Sequence, residues 1–304
     1  MAFASAQGLQ VSQDTLWPSR MARVMLRVVG NLASQMEILG VFKRRVFAEV
    51  VPVNPRFAIK FAADDYLARD LSISERKSCF VHHYTRLHDA LPDTMLRQIL
   101  HRSVSVLEIR AGESAYRVTS HLSRPWDKEG ELSFDLEVDG VGIYVVSFSI
   151  VPGVVVKSKA REVVLISRLQ GMKGKYERIQ RATKVLSDVA PASFLLAALQ
   201  GFAEAFGIVE IVGVSALRQA NYHEDCAGVF RKSYDDFFLN LGAVLGPEDL
   251  YSCPVPIPEK PLQEVKRGHK LRTKEKRAFK REVACAVRLF FQANRRTDDE
   301  SLPI

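Results

Sequence analysis

An α+β fold, a mixed and mainly antiparallel sheet flanked by helices, follows from three features of this sequence. Apolar and polar residues alternate with a period of two between residues 104 and 168, the pattern of strands with one buried face. Before and after that region apolar residues return at helical intervals. Short glycine-bearing breaks separate the period-two runs, so neighbouring strands connect by hairpins and run antiparallel. The 304 residues are 47% hydrophobic and 26% charged, enough for one sizeable core and unlike a collagenous, coiled-coil or wholly disordered chain.

Taken in order, residues 1–20 are polar and rich in Ser and Gln, and predict a disordered start. They lack the charged start and apolar stretch of a secretory signal. Residues 21–100 predict a helical subdomain broken between Pro52 and Pro55. Within it Ile73, Phe80, Tyr84, Leu87 and Leu91 form a helical stripe, with Ser72 or Ser74 as the cap and Pro92 as the stop. The α+β core is expected over 101–258. Its first strands are 104–110, 114–122, 131–138, 142–150 and 162–168, separated by turns at Gly112, Gly140 and Gly153. Helices follow at 176–187 and 192–206, the second with Leu195, Leu199, Phe202 and Phe206 on one face and Gly207 as its stop. A buried strand at 209–214 comes after this long helical approach, so it can lie parallel to the meander's last strand. A helix at 229–241 ends at Gly242, and a last strand at 250–257 runs into Pro254, Pro256, Pro258 and Pro261, which suit only an edge or exit segment. Residues 259–304 predict a basic helix and tail.

The charge is concentrated. Residues 260–281 carry ten basic and two acidic side chains, a net of +8 that equals the formal charge of the whole chain. Lys266, Arg267, Lys270, Arg272, Lys276 and Arg277 are therefore candidate contacts for an anionic partner, whether nucleic acid, an anionic lipid surface or an acidic cofactor, with a solvated helix face as the alternative. Only Phe279 interrupts the basic run, so a stacking platform for bases is missing and nucleic acid is disfavoured. The apolar stretch 191–217 is broken by Gln200, Glu204 and Glu210 and falls short of the roughly 20 apolar residues of a membrane span. Cys79, Cys226, Cys253 and Cys285 form no metal or redox spacing and read as reduced thiols. His82 and His83 point about 100° apart on a helix, so they do not share a metal, and no metal is expected.

Several stretches resemble the VirK/YbjX-like bacterial family. They include Arg168, Leu169, Gln170 and Gly171, then Lys173 and Gly174, Thr183 and Lys184, and residues 195–200 and 206–211. Tyr234, Asp235, Asp236 and Phe237 continue the likeness, followed by the proline run 254–260 and His269. The likeness covers 68–281, and it implies a cytoplasmic bacterial protein tied to envelope remodelling, virulence and antimicrobial-peptide resistance, with no established reaction. In element order the chain also resembles the Gcn5-related acyltransferase fold. That family's pyrophosphate loop reads Arg/Gln-x-x-Gly-x-Gly/Ala, and Arg168, Gly171 and Gly174 come within one residue of it, with Lys173 at the small-residue position. Phe238 stands where that family often carries a Tyr, which leaves Tyr234, one turn earlier, as the hydroxyl.

What this second resemblance implies is acyl transfer from an acyl-CoA or acyl carrier protein, a co-substrate that is not permanently bound, to an amine or hydroxyl. Arg168, Gln170, Gly171, Lys173, Gly174 and Lys175 would hold the donor's phosphates, because glycines between a strand and a helix can aim backbone amides at an anion. A plain strand-to-helix turn is the alternative. His223, in the loop after the buried strand, or His82 would take the acceptor's proton, and Tyr234 would protonate the leaving thiol. Hydrogen-bonded structural histidines are the alternative for both. Ser215 and Ser233 lack the setting of a hydrolase nucleophile. The other function expected of such a chain is a non-catalytic envelope-stress adaptor, cytoplasmic and peripheral at the inner membrane, binding anionic lipid or a protein partner through the basic segment. Oligomeric state has no signature in the sequence.

Overall fold

The computed structural model describes residues 32–123, 128–246 and 248–296; the expected disordered start and the last residues of the tail lie outside them. Among the described residues five α-helices come first: α1 (Leu32–Phe42), α2 (Arg45–Ala48), α3 (Val50–Val53), α4 (Ile73–Ala90) and α5 (Asp93–His101), with a 3-10 helix at Pro55–Ala62. The break expected between Pro52 and Pro55 is the joint from α3 to that 3-10 helix. Of the two candidate caps on α4, Ser72 is used. Its hydroxyl accepts the Glu75 amide at 3.3 Å while the Glu75 carboxylate accepts the Ser72 amide at 2.8 Å, a reciprocal capping box.

The meander is β1 (Val104–Ala111), β2 (Ser114–Leu122), β3 (Leu132–Val138), β4 (Val141–Pro152) and β5 (Glu162–Gly171). Then come α6 (Tyr176–Val185), α7 (Pro191–Ala205), β6 (Glu210–Val214), α8 (Ala227–Ser233), α9 (Asp235–Leu241), β7 (Val244–Leu245), β8 (Leu250–Pro254) and α10 (Lys270–Ala293). The eight strands form one mixed sheet in the order β1-β2-β3-β4-β5-β6-β8-β7, antiparallel throughout except for the parallel pair β5 and β6. The α+β class therefore stands. Three details differ from expectation. The single helix 229–241 is two helices jointed at Tyr234, the last strand stops at Pro254 where the prolines begin, and β7 is too short to leave a periodic trace.

One face of the sheet is covered by α7 and α10, with Phe134, Phe148, Phe202 and Phe291 meeting edge to face between them. A Cβ on Gly201 of α7 would come within 2.1 Å of the Ala284 carbonyl on α10, so glycine is what lets these helices touch. The other face is half covered by α4 and the 3-10 helix, where Phe57, Phe80 and Tyr84 pack together. The remaining half of that face stays polar and carries the features described below.

His83 of α4 is fully buried, and its Nδ1 accepts the Ile150 amide of β4 at 3.0 Å. Burial, helped by the neighbouring His82 and Lys60, pushes its pKa down to about 3. The native imidazole is thus neutral across the range in which the unfolded one, near 6.5, gains a proton. Below pH 6.5 the unfolded state binds the extra proton, so stability falls as pH falls. Denaturant titrations should show this residue costing about 2 kcal/mol between pH 7 and pH 5. A His83→Gln variant should flatten that part of the acid limb; an unchanged slope would show that His83 is not the group responsible.

Candidate functional site

The site begins with a divergence. β5 pairs with β6 at only three positions, Val164 with Ile211, Leu165 with Val212 and Ile166 with Gly213, whereas it stays paired to β4 as far as Gly171. A bulge at Ser167 marks the point of parting: Phe148 opposes Ile166 and Ser147 opposes Arg168, leaving Ser167 as the extra residue. Such a bulge re-aims a strand and ends regular pairing. β6 ends at Val214 and the chain turns into the loop 215–223, so the last residues of β5 border a notch with no partner strand on that side. Ser167 is wholly buried at its apex, its hydroxyl without a partner among the described residues.

Tyr234 fills the notch. The joint between α8 and α9 turns its ring inward, where it is 4% exposed, and its hydroxyl accepts the Leu169 amide at 3.4 Å. That contact shows that the backbone of Leu169 faces away from β4. Gly171 shares the orientation, because backbone polar groups alternate sides along a strand. Phe230 stacks on Tyr234 with ring centroids 6.0 Å apart, and Tyr222 meets Phe230 edge to face at 5.7 Å. Burial, and then the negative charge of Glu129, push the Tyr234 phenol above its ordinary pKa against the opposing pull of the Leu169 amide and Arg168. It is therefore a proton carrier at neutral pH. The next residue, Asp235, accepts the Ala216 amide at 2.9 Å and ties the joint to the end of β6. Phe238 is core: its ring lies where a Cβ on Gly213 would stand, and it stacks on Tyr251.

Beside the notch, Arg168 reaches Glu129 at 3.8 Å, and with the Gln170 amide oriented to satisfy both groups its oxygen accepts from Arg168 at 2.7 and 2.9 Å. Asn221, from the loop after β6, donates to Glu129 at 3.1 Å. In strand register with Arg168 lie Ser147, Ser133 and His121, one row across four strands and about 14 Å long at roughly 4.8 Å per strand. Ser123, Ser133 and Ser147 are linked hydroxyl to hydroxyl at 2.8 Å, and His121 Nε2 lies 3.3 Å from Asp135. Glu129, Asn221, His121 and Asp135 carry no mark in the sequence. The alternation along β2 and β3 sets polar residues on one face, but only the pairing register puts His121 in one row with Arg168, and only tertiary contacts bring Asp135 to His121 and Glu129, with Asn221, to Arg168.

Several expectations are corrected. Gly171 belongs to β5, opposite Tyr144, and does not open the turn. In the turn itself the Met172 amide donates to Ile143 at 2.9 Å, the Lys175 amide donates to Met172 at 3.2 Å, and the Met172 side chain lies against Gly142. These two amides are therefore satisfied within the protein and do not reach outward, because the turn closes on itself before α6 begins. Lys173 and Gly174 are exposed, and Lys175 precedes α6 without a side-chain cap on its first turn.

His82 is removed from the site. Its Nε2 lies 2.8 Å from Glu162, which Arg86 also holds, and Glu162 and Gly171 are the two ends of β5, about 30 Å apart at roughly 3.3 Å per residue. Burial raises the Glu162 pKa, but the hydrogen bonds from His82 and Arg86 outweigh it and hold the carboxyl below its ordinary value. The helix periodicity could not reveal this, since it fixes a face but not a place along the sheet. His223 stands exposed next to Tyr222, in the loop after β6.

The six basic residues divide. Arg272 pairs with Asp188 at 2.8 Å, and Arg277 bonds the Lys260 carbonyl and approaches Glu259 at 3.7 Å. Lys266 and Arg267 are exposed, while Lys270 and Lys276 are partly covered. Among the described residues no group of three or more His, Cys, Asp or Glu is placed to hold a metal ion, and no helix is long and apolar enough to cross a membrane.

Residues 17–280 match the model of the family described as "Protein of unknown function (DUF535)". The chain is also 23% identical over 220 residues to the uncharacterized protein YbjX of Escherichia coli (strain K12), an alignment that covers 70% of this chain and 65% of that protein. The match thus spans about two thirds of the relative's length. No solved structure matches the chain.

Proposed function

The chain belongs to the DUF535 family, that of the VirK/YbjX proteins, and for this member of it we propose acyl transfer from a pantetheine thioester to an amine or hydroxyl. The observation that carries the reading is the divergence of β5 from β6, with Tyr234 inside it. A pantetheine arm is an extended chain with two amides. It can lie along β5 at Gly171, beyond the Leu169 amide that the Tyr234 hydroxyl already takes, in the way peptides extend a sheet edge. Its thioester then lies at the rim of the notch, next to Tyr234.

In the reaction the acceptor's nitrogen or oxygen bonds to the thioester carbon and the carbon–sulfur bond breaks. The acceptor's proton leaves to His223 in the loop after β6, directly or through water, and the departing thiolate takes the Tyr234 proton. Arg168, held by Glu129 and Gln170, orients the donor electrostatically, and Lys173 and Lys175 attract its phosphate. The test is direct. The protein is mixed with an acyl-CoA or acyl carrier protein and a panel of amines, and released thiol is followed with a thiol reagent. Acceptor-dependent thiol release is expected. If neither donor releases thiol above background, and neither raises the melting temperature, the reading is wrong.

A second reading, a non-catalytic envelope-stress adaptor on anionic lipid, is favoured by the exposure of Lys266, Arg267 and the 70% exposed Leu271. Against it stand the pairings of Arg272 and Arg277, which draw part of the basic segment into the fold.

A further inference from the structure

Resting on the acyl-transfer reading, we infer that the donor arrives on an acidic carrier protein, its acyl group held on phosphopantetheine, and docks on the basic face made by α6 and the start of α10. The turn itself argues for this. With the Met172 and Lys175 amides committed and Lys173 in place of a small residue, the turn is a poor cradle for a nucleotide pyrophosphate. A single phosphodiester on a protein-borne arm needs less from it.

The amount of charge argues the same way. Residues 173–184 carry a net +4 and residues 260–281 a net +8, so these two segments hold +12 in a chain whose total is +8. The rest of the protein is net acidic; Asp188 and Glu259 pair with Arg272, Arg277 and Arg281, and the positive charge left on the two segments still exceeds what one phosphodiester needs. It is also continuous. Asp188, just past α6, bonds Arg272 near the start of α10, so the two segments adjoin. α6 begins at the notch, and Arg178, Arg181 and Lys184 stand exposed on its successive turns. Tyr176 and Leu271, 69% and 70% exposed, add apolar anchors to this face. An acidic partner is steered to such a surface by charge, and its arm would enter beside Gly171.

The test measures binding apart from turnover. The full chain is titrated into labelled holo acyl carrier protein, its apo form, and coenzyme A. Both carrier forms should bind, more weakly as salt rises. The double variant Arg178→Glu with Arg181→Glu should weaken carrier binding about tenfold or more, and the milder Arg178→Gln with Arg181→Gln should weaken it less. Coenzyme A binding should change little. Carrier protein that fails to bind, or that binds both double variants as well as the parent, overturns the inference. So does a loss confined to phosphatidylglycerol vesicles with carrier affinity unchanged, which would make this a lipid-facing surface. The acyl-transfer reading fails separately: a docked acyl carrier protein that never gives up its acyl group would overturn that reading and leave the docking face standing.

Discussion

Phenylalanine in place of Tyr234 is expected to slow thioester turnover about 100-fold or more, while costing the fold only about 1 kcal/mol. The ring would keep its stack on Phe230, so the side chain still fills the notch. What is lost is one long hydrogen bond, 3.4 Å from the Leu169 amide, and the proton. Burial and Glu129 hold the phenol in its protonated form, so it can donate to the developing charge on the leaving sulfur, and that donor is missing in the variant. The distinguishing measurement is leaving-group dependence. An aryl thioester, whose thiolate needs no proton, should lose far less rate than an alkyl one, with KM little changed for either. An equal loss for both donors would assign Tyr234 to packing, and no loss would remove it from the chemistry.

The second large effect lies beneath the site. Lys60, from the 3-10 helix, and Glu131, just before β3, are a buried pair, 3.4 Å apart with side chains 4% and 0% exposed. Lys60 also donates to the Gly130 carbonyl at 2.8 Å, and the Tyr84 hydroxyl donates to Glu131. Removing one partner strands the other charge in the core, so Lys60→Met should destabilise the protein by about 3–5 kcal/mol. Adding Glu131→Gln to that variant removes the orphaned charge and should restore a large part of the loss. Denaturant unfolding of the two single variants and the double variant measures the coupling. Independent, additive losses would mean that the pair does not act as a unit. Function is tied to the same pair: Gly130 and Glu131 follow Glu129 directly, so loosening them should also free Glu129 from Arg168 and Asn221 and slow turnover.

Much of the architecture was legible because it is written in local periods. The meander, its hairpin glycines, the Ser72 cap and the stripe on α7 all depend on residues within a few positions of one another, and each of them is present in the fold. Tyr234 was legible as a candidate only through the spacing to Gly242. That its helix breaks there was hidden, since 229–241 is helical in pattern, and the joint depends on Asp235 reaching Ala216 across 19 positions. The same limit explains His82. Its helix face could be read from the sequence, but its partner Glu162 is 80 residues away.

By itself, then, the sequence determined the α+β class, the order of the elements, the concentration of positive charge and membership of its family, because these rest on local pattern and composition. The tertiary structure alone decided where β5 and β6 part, that the turn after Gly171 satisfies two of its amides internally, that His121 falls in one row with Arg168, and that Glu129 and Asn221 gather beside that arginine. Those outcomes depend on strand register and on contacts between distant segments. Register and long-range contact are settled by the packing of the whole core.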